Sequence, residues 1–292
     1  MTKATVLISG ASGFVGTELT NYFSEKGYTV IGLVRDPAKY AAPKNVTYKQ
    51  YDLGKPFDDA IFKGVDYVVH AAYVKYDREH PDAKDTNIQG AQRIHDAAQK
   101  HGVKKVVFMS SMSAHEEAVS VYGKQKLAIE KIFNTKRDAV LRCGLIIGKG
   151  GIVHEMVSFL KAKRVVPLVD GGKQPLQIVS VHDLVHVIES VFLKDLSGTL
   201  VIANPKVYAY KELYETIGKE LGIKLIFVPV PFFVLLNAIR MLTVLRLPLP
   251  VNEDNLWGLK MLRSADNAKD IKKTGLTLDT LDQAMKRTGI TN

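Results

Sequence analysis

Short apolar runs alternate with amphipathic stretches over the first half of the chain. Thr5 to Ser9 is strand-forming and meets glycines at 10, 13 and 16, after which Glu18, Leu19, Tyr22 and Phe23 follow a helical period. That period ends near Gly27, and Tyr28 to Val34 predicts a second strand closed by Arg35-Asp36-Pro37. Val46 to Gln50 and Asp66 to His70 predict two further strands. From about Pro81 to His101 the pattern is helical, with Ile88, Ala91, Ile94 and Ala98 on one face. Val103 to Met109 is a fully apolar strand ending in Ser110-Ser111. A helix opening at Val121 then carries Leu127, Ile129, Ile132 and Phe133 before a strand over Ala139 to Arg142. Strand and helix in strict alternation specify a parallel sheet with helices on both faces, and such sheets bind ligands at the carboxyl ends of their strands.

Beyond Gly148 the alternation weakens, and Gly150-Gly151 and Gly171-Gly172 punctuate short elements. Ser180 and Asp183 predict a capping box ahead of an apolar helix over Leu184–Leu193. Thr199 to Ala203 and Lys224 to Val228 read as strands, and Lys211 to Leu221 as an amphipathic helix. Asn252 to Arg263 and Leu278 to Arg287 read as closing helices. The expected fold is α/β: a Rossmann-type doubly wound parallel sheet with a smaller C-terminal α+β substrate lobe. Residues 1–148 form the dinucleotide-binding domain, to which segments such as 174–203 return, and 149–292 form mainly the substrate-binding lobe.

The glycine stretch carries the first candidate chemistry. Gly10 permits a tight turn, Gly13 lets backbone amides approach a bulky anion, and Gly16 lets the helix lie close to the sheet. With Ser12, Phe14 and Val15 they place a helix N-terminus where a pyrophosphate would bind. The second strand's tip reads the adenosine ribose. Val34 and Arg35 stand there instead of an acid, which favours NADP(H) over NAD(H), unless Asp36 serves the ribose and Arg35 is a solvated turn residue. Asp52 and Leu53 suit the rim of an adenine pocket, and Ala71 and Ala72 leave space for cofactor after the fourth strand.

Composition narrows the class. The chain of 292 residues is 46% hydrophobic and 24% charged, enough to build its core without staples. Its lone cysteine, Cys143, excludes an internal disulfide, and Met1 to Ala4 leave no room for a secretory signal before the glycine turn, so a cytoplasmic protein is expected. The formal charge of +10 divides into +5 over residues 1–147 and +5 over the remainder, with no basic tail. A surface that favours anionic ligands follows, rather than a nucleic-acid interface. Pro231 to Leu247 is apolar but short and carries Arg240 and Arg246, so it does not span a bilayer. It suits core packing, a pocket cover or a membrane-surface contact. His182 and His186, four apart, lack an evident third ligand, and no metal is expected.

Tyr122 and Lys126 stand four apart in the helix after the fifth strand, so both lie on one face, where an ammonium beside a phenol favours its ionised form. Together with the glycine turn, Asn87-Ile88-Gln89-Gly90 and the Val106-to-Ser111 strand end, they make residues 4 to about 205 resemble the extended and atypical short-chain dehydrogenase/reductase family, including its NAD-dependent epimerase/dehydratase group. The resemblance implies Tyr122 as acid/base, and Lys126 binding the nicotinamide ribose and lowering the Tyr pKa. It implies Ser111 orienting the substrate oxygen, with Ser110 and Ser113 as alternatives. Asn87 is then largely structural or supports a proton relay. A dimer through the helices near 84–100 and 122–136 is also implied. Two departures stand out: only eleven positions separate Ser111 from Tyr122, where many sugar-nucleotide epimerases carry a longer insertion, and Cys143 replaces the family's usual Pro. Cys143 is expected to be a small buried residue rather than a nucleophile. The expected activity is NADP(H)-dependent hydride transfer to a carbonyl or from a secondary alcohol in a small-molecule substrate. The alternatives are a nucleotide-sugar epimerase or dehydratase that retains its cofactor, and a non-catalytic dinucleotide-binding sensor or assembly subunit.

Overall fold

A computed structural model describes residues 4–75, 80, 82–133, 135–245 and 252–291. The first half contains β1 (Thr5–Ser9), α1 (Phe14–Glu25), β2 (Thr29–Val34), β3 (Val46–Gln50), β4 (Tyr67–His70), α2 (Ala83–Lys100), β5 (Lys105–Ser111), α3 (Val121–Glu130) and β6 (Ala139–Cys143). There follow β7 (Leu145–Ile147), α4 (Gly151–Ala162), β8 (Val165–Val169), β9 (Pro175–Leu176), β10 (Ile178–Ser180), α5 (Val181–Leu193), β11 (Gly198–Ile202), β12 (Tyr208–Ala209) and α6 (Tyr210–Glu220). The last elements are β13 (Ile226–Val230), α7 (Phe232–Val244), α8 (Glu253–Lys260), α9 (Ala268–Thr274) and α10 (Leu281–Thr288). Pro81, at the predicted start of α2, and positions 246 and 247, at the predicted end of α7, lie outside the described residues.

Seven parallel strands form the main sheet in the order β11-β6-β5-β4-β1-β2-β3. Successive side chains of a strand point to opposite faces, and β1 shows the result: Val6 and Ile8 pack with Leu19 and Phe23 of α1 and Leu184 and Ile188 of α5. Leu7 packs on the other face with Ala91 and Ile94 of α2 and Ile129 of α3. The strand order runs outward in both directions from the β1/β4 pair, so the crevice at this switch point opens above Ser9 and His70.

Two glycines let β1, α1 and β4 meet there. At Gly10, with φ of +72°, an added Cβ would lie 2.8 Å from Ala72 Cα; at Gly16 it would lie 2.0 Å from the Gly10 carbonyl oxygen. Backbone touches backbone at both places, so nothing can swing aside.

After β6 the chain builds smaller parallel pairs, β7 with β10 and β8 with β13, and an antiparallel pair, β12 with β9. A separate core joins Val153, Val157 and Leu160 of α4, Leu213 and Ile217 of α6, and Met285 of α10. The predicted capping box is half present. Ser180 Oγ accepts from Asp183 N–H at 3.0 Å, but the Asp183 carboxylate accepts from Asp279 N–H (2.7 Å) and Arg287 (3.0 Å), fastening α5 to the C-terminal segment. The helix also starts at Val181, earlier than Leu184, because that Ser is its N-cap.

Replacing Gly16 by Ala forces an overpacked backbone contact. The expected loss is about 1–3 kcal/mol, read as a Tm lower by roughly 2–10 °C in a thermal melt. An unchanged Tm would show that α1 can shift off the sheet freely.

Candidate active site

Ser111 closes β5, and Tyr122 lies in the first turn of α3, with the Ser111 hydroxyl near enough to the phenol to favour its ionised form. Of the two alternative serines, Ser110 is engaged elsewhere through its side chain, and Ser113 contributes a backbone donor. Ser110 Oγ donates to Glu130 at 2.5 Å, where the Arg142 guanidinium pairs with the same carboxylate at 2.6 Å. Ser113 offers its backbone N–H to Ser111 Oγ at 3.1 Å. Of the three, Ser111 is the one set against the phenol.

Local sequence explains why α3 starts where it does. Ser120 Oγ caps it by accepting from Gly123 N–H at 3.1 Å, and a Cβ on Gly123 would lie 2.4 Å from the Ser113 carbonyl oxygen. The Asp254 carboxylate on α8 reaches across to accept from the N–H groups of Val121 (2.5 Å) and Tyr122 (3.3 Å). Orphan donors of a helix N-terminus are thus satisfied by a residue 132 positions away in sequence. Nothing in the local pattern around Asp254 signals that role.

Lys126 is buried, and its Nζ donates to the Met109 carbonyl at 2.7 Å. The ammonium stands 4.7 Å from the Tyr73 ring centroid, 4.9 Å from that of Phe108 and 5.8 Å from that of Tyr122. Aromatic faces stabilise a cation that burial otherwise disfavours, and burial draws its pKa down to about 8. Burial likewise pushes the Tyr122 phenol up to about 12, with the Ser111 hydrogen bond acting in the opposite direction. The spacing argument expected the ammonium to favour phenolate. Instead Lys126 is turned toward a strand-end carbonyl, and the apolar surroundings of the phenol outweigh it.

Two further groups belong to this neighbourhood and were not singled out in the sequence. His70 Nδ1 and Ser9 Oγ lie 2.7 Å apart across the switch point. Burial, aided by the Lys126 charge, lowers the His70 pKa to about 3 and keeps it neutral. Gln125 Oε1 accepts from the Tyr73 hydroxyl (2.8 Å) and from Asn87 (3.2 Å), while Asn87 also clamps both backbone groups of Val74 at 2.8 Å. Asn87 is therefore occupied in holding the segment after β4. Cys143 is buried, with its Sγ toward the Leu141 carbonyl at 3.6 Å and its thiol pushed up to about 12 by burial, as a packed residue and not a thiolate.

The glycine turn fits a dinucleotide. Gly13 is the N-cap of α1, with no side-chain cap and no acid in the first turn, so the amides of that turn await an anion. Its backbone (φ −78°, ψ 171°) suits any residue, and an added Cβ would meet only the Gly10 carbonyl, at 3.2 Å. The chain's own packing hardly demands glycine here; a ligand lying on the turn would. Ser12 and Gly13 are exposed, while Phe14 packs under Gly148 and Gly150, whose added Cβ atoms would lie 2.7 and 2.6 Å from it. Val15 is partly buried against the sheet.

The remaining predicted contacts surround the same crevice edge. Arg35 is exposed after β2, whereas Asp36 accepts from Ala38 N–H at 3.2 Å and caps its own turn. Asp52 turns back to Gly54 N–H at 3.0 Å. Leu53 is a core side chain under α2, so only its backbone can border a ligand. Ala71 and Ala72 follow β4, with Ala72 N–H donating to Ser9 Oγ at 3.3 Å. The His186 ring engages the His182 carbonyl at 2.6 Å, and among the described residues no group of three or more His, Cys, Asp or Glu could hold a metal.

Comparison with known proteins agrees with this architecture. The sequence profile described as "NAD dependent epimerase/dehydratase family" matches residues 6–203. A UDP-N-acetylglucosamine 4,6-dehydratase (inverting) of Campylobacter jejuni is 30% identical over 257 residues, covering 77% of this chain and 74% of the relative. Among solved structures, MoeE5 in complex with UDP-glucuronic acid and NAD superposes with a TM-score of 0.73 at 20% identity, covering 99% of each chain. The UDP-glucose 4-epimerase of Thermotoga maritima with UDP-glucose gives 0.76 at 20%, covering 98% of each. The chain belongs to the NAD dependent epimerase/dehydratase family, whose members are NAD(P)-dependent enzymes with this Rossmann-type sheet. This membership favours the epimerase or dehydratase alternative over net carbonyl reduction, which the sequence placed first.

Gly13→Ala should leave the thermal melt within about 2 °C of the parent and weaken NAD(P) binding by at least roughly tenfold, about 1.4 kcal/mol. Calorimetric titration alongside the melt checks both. Unchanged affinity would mean that the turn tolerates a side chain beside its ligand.

Proposed function

We propose that this chain oxidises and re-reduces one secondary alcohol of a nucleotide-linked sugar, as an epimerase does, with no net consumption of cofactor. The observation that supports the reading is the placing of Ser111, at the end of β5, beside the Tyr122 phenol of α3 at the carboxyl ends of parallel strands, in a chain of this family. A bound dinucleotide supplies a hydride acceptor and donor. Ser111 orients the reacting oxygen, Tyr122 accepts the hydroxyl proton as the carbinol C–H bond breaks, and Lys126, 5.8 Å from the phenol ring, binds ribose and offsets part of the burial that disfavours phenolate. Tyr122 returns the proton to the reacting oxygen, and a dinucleotide held in this crevice would supply the re-reduction from the opposite face of the ketone that makes the epimer. Gly10, Gly13 and Gly16, with Ser12, Phe14 and Val15, hold the pyrophosphate. Asp52, Leu53, Ala71 and Ala72 border the cofactor, and the chain beyond 148 mainly receives the sugar nucleotide. We place the enzyme in the cytoplasm, where such cofactors circulate, and expect two copies to pair through α2 and α3.

A second reading, NADP(H)-dependent reduction of a free carbonyl, draws on the exposed Arg35 and on the short stretch between Ser111 and Tyr122. In that stretch Glu116 and Glu117 are exposed, and Glu117 pairs with Arg263. Incubation with nucleotide sugars, followed at the nicotinamide absorbance and by NMR of the sugar, separates the two readings. Epimer without net absorbance change supports the first, and stoichiometric NADPH oxidation with a simple ketone supports the second.

Tyr122→Phe should fold and bind cofactor but lose at least roughly 10²-fold in turnover. Alcohol oxidation requires Tyr122 to give up its proton, so the rate rises with pH up to that group's pKa. A nearby cation lowers that pKa, and Lys126→Met should therefore move the rising limb to higher pH, by roughly one unit or more. A limb left in place would remove Lys126 from the proton step. Arg35→Ala should weaken NADPH by about tenfold, the worth of a charge-assisted phosphate contact, while leaving NADH nearly unchanged. A loss shared equally by both cofactors would assign Arg35 to the turn.

A further inference from the structure

The β8/β13 ribbon and α7 carry an apolar surface that the proposed chemistry does not use. Parallel register pairs Val165 with Ile226, Pro167 with Val228 and Val169 with Val230, so these six residues share one face of the ribbon. α7 covers only one end of that face, where Val169 packs with Phe232, Leu236 and Ile239. Toward the other end Val165, Pro167, Ile226 and Val228 are exposed. The helix is apolar on its outer side too: Phe233, Val234, Met241, Val244 and Leu245 recur at helical spacing and are 59–82% exposed. Exposed apolar residues clustered in this way mark an interaction surface.

Charge identifies the occupant. No Asp or Glu occurs from Met156 to Val169 or from Leu221 to Leu245, the segments that build this surface, and the acids at its margin, Asp170 and Glu253, are paired with Lys260 and Arg240. Lys161, Lys163 and Arg164 immediately precede β8, and Lys224 precedes β13. The Ile226 N–H to Arg164 carbonyl bond (2.8 Å) sets these leaders side by side at the bare end of the ribbon. All four cations are exposed, and none makes an ion pair among the described residues. A two-fold contact between copies would set this patch against itself and bring the cations face to face. A bilayer surface containing anionic lipid accommodates both features, apolar side chains entering the acyl boundary and cations meeting the headgroups.

We propose that β8, β13 and α7 form a peripheral docking surface for anionic membranes. No helix among the described residues is long and apolar enough to cross a membrane, so the contact is superficial. The test is co-sedimentation of the full chain with vesicles of phosphatidylcholine alone and with one-third phosphatidylglycerol, at low and at 0.5 M salt (roughly 4 Å Debye length). Binding is expected to the anionic vesicles at low salt and to fall steeply in high salt. Lys161→Ala/Lys163→Ala/Arg164→Ala should cut partitioning on the order of a hundredfold, at about fivefold per cation. Phe233→Ser/Val244→Ser should cut it by at least about tenfold. These side chains are exposed, so the melts of both variants should match the parent, and a variant that melts early is replaced by Met241→Ser or Lys224→Ala. Equal binding to both vesicle types, or none to either, overturns the proposal. So does a parent dimer, seen by analytical ultracentrifugation, that Phe233→Ser/Val244→Ser converts to monomer without altering vesicle binding.

Discussion

The contact on which the rest of the structure depends is the approach of three backbones at the end of β1. Gly10 lies against the start of the segment after β4, and Gly16 lies against Gly10 itself. Because no side chain intervenes, α1 begins directly over the sheet, and its uncapped amides face the crevice between β1 and β4. The same closeness brings Ser9 and His70 into hydrogen bonding and leaves Ala72 beside the turn. The geometry proposed to hold phosphate and the packing of the sheet are therefore one constraint. A residue that loosened either would loosen both.

On the β5 side of the crevice the governing factor is burial of charge. Lys126 is enclosed by Tyr73, Phe108 and Tyr122, and its cation helps keep His70 neutral. Beneath it Ser110, Glu130 and Arg142 form a second polar group within the same helix-strand contact. A buried carboxylate without its guanidinium would be costly, so that group stabilises the strand end that presents Ser111. Two adjacent serines thus divide the work: one is tied into an ion pair beneath the sheet end, and the other is left facing the phenol.

The main sheet was legible in the sequence because strands buried on both faces read as continuous β-branched runs. Val46–Gln50 begins and ends where the pattern placed it, and the limits of β1, β2, β4 and β6 shift by a residue at most. Beyond Gly148 the strands are two, three or five residues long, too short for a period to establish itself. The two-residue β9 and β12 and the three-residue β10 were accordingly not anticipated, nor was β7 just before Gly148, and β8, α4 and α9 were missed as well. The acid/base candidates could be found because Tyr122 and Lys126 are one helical turn apart in the helix after the fifth strand, where the family resemblance gives such a pair its role. The partners at long range could not: Asp254 on Tyr122 N–H and His70 beside Ser9 leave no local signature. Nor could spacing reveal how Lys126 is oriented, since the Met109 carbonyl competes for the same ammonium.

The link through Asp254 joins the C-terminal segment to the helix that carries the proposed acid/base. Its carboxylate belongs to α8, yet its hydrogen bonds end on the first turn of α3, where Tyr122 lies. The stretch between Ser111 and Tyr122 is held again by Arg263, which pairs with Glu117 beyond the end of α8. Any movement of α8 must therefore either carry the N-terminus of α3 with it or leave two backbone donors without partners. The second course is unfavourable where those donors are partly buried. The family profile matches only as far as residue 203, and here a later segment reaches the turn that carries the phenol through two hydrogen bonds. Under the proposed mechanism, changes in the C-terminal half alter turnover without touching Ser111, Tyr122 or Lys126.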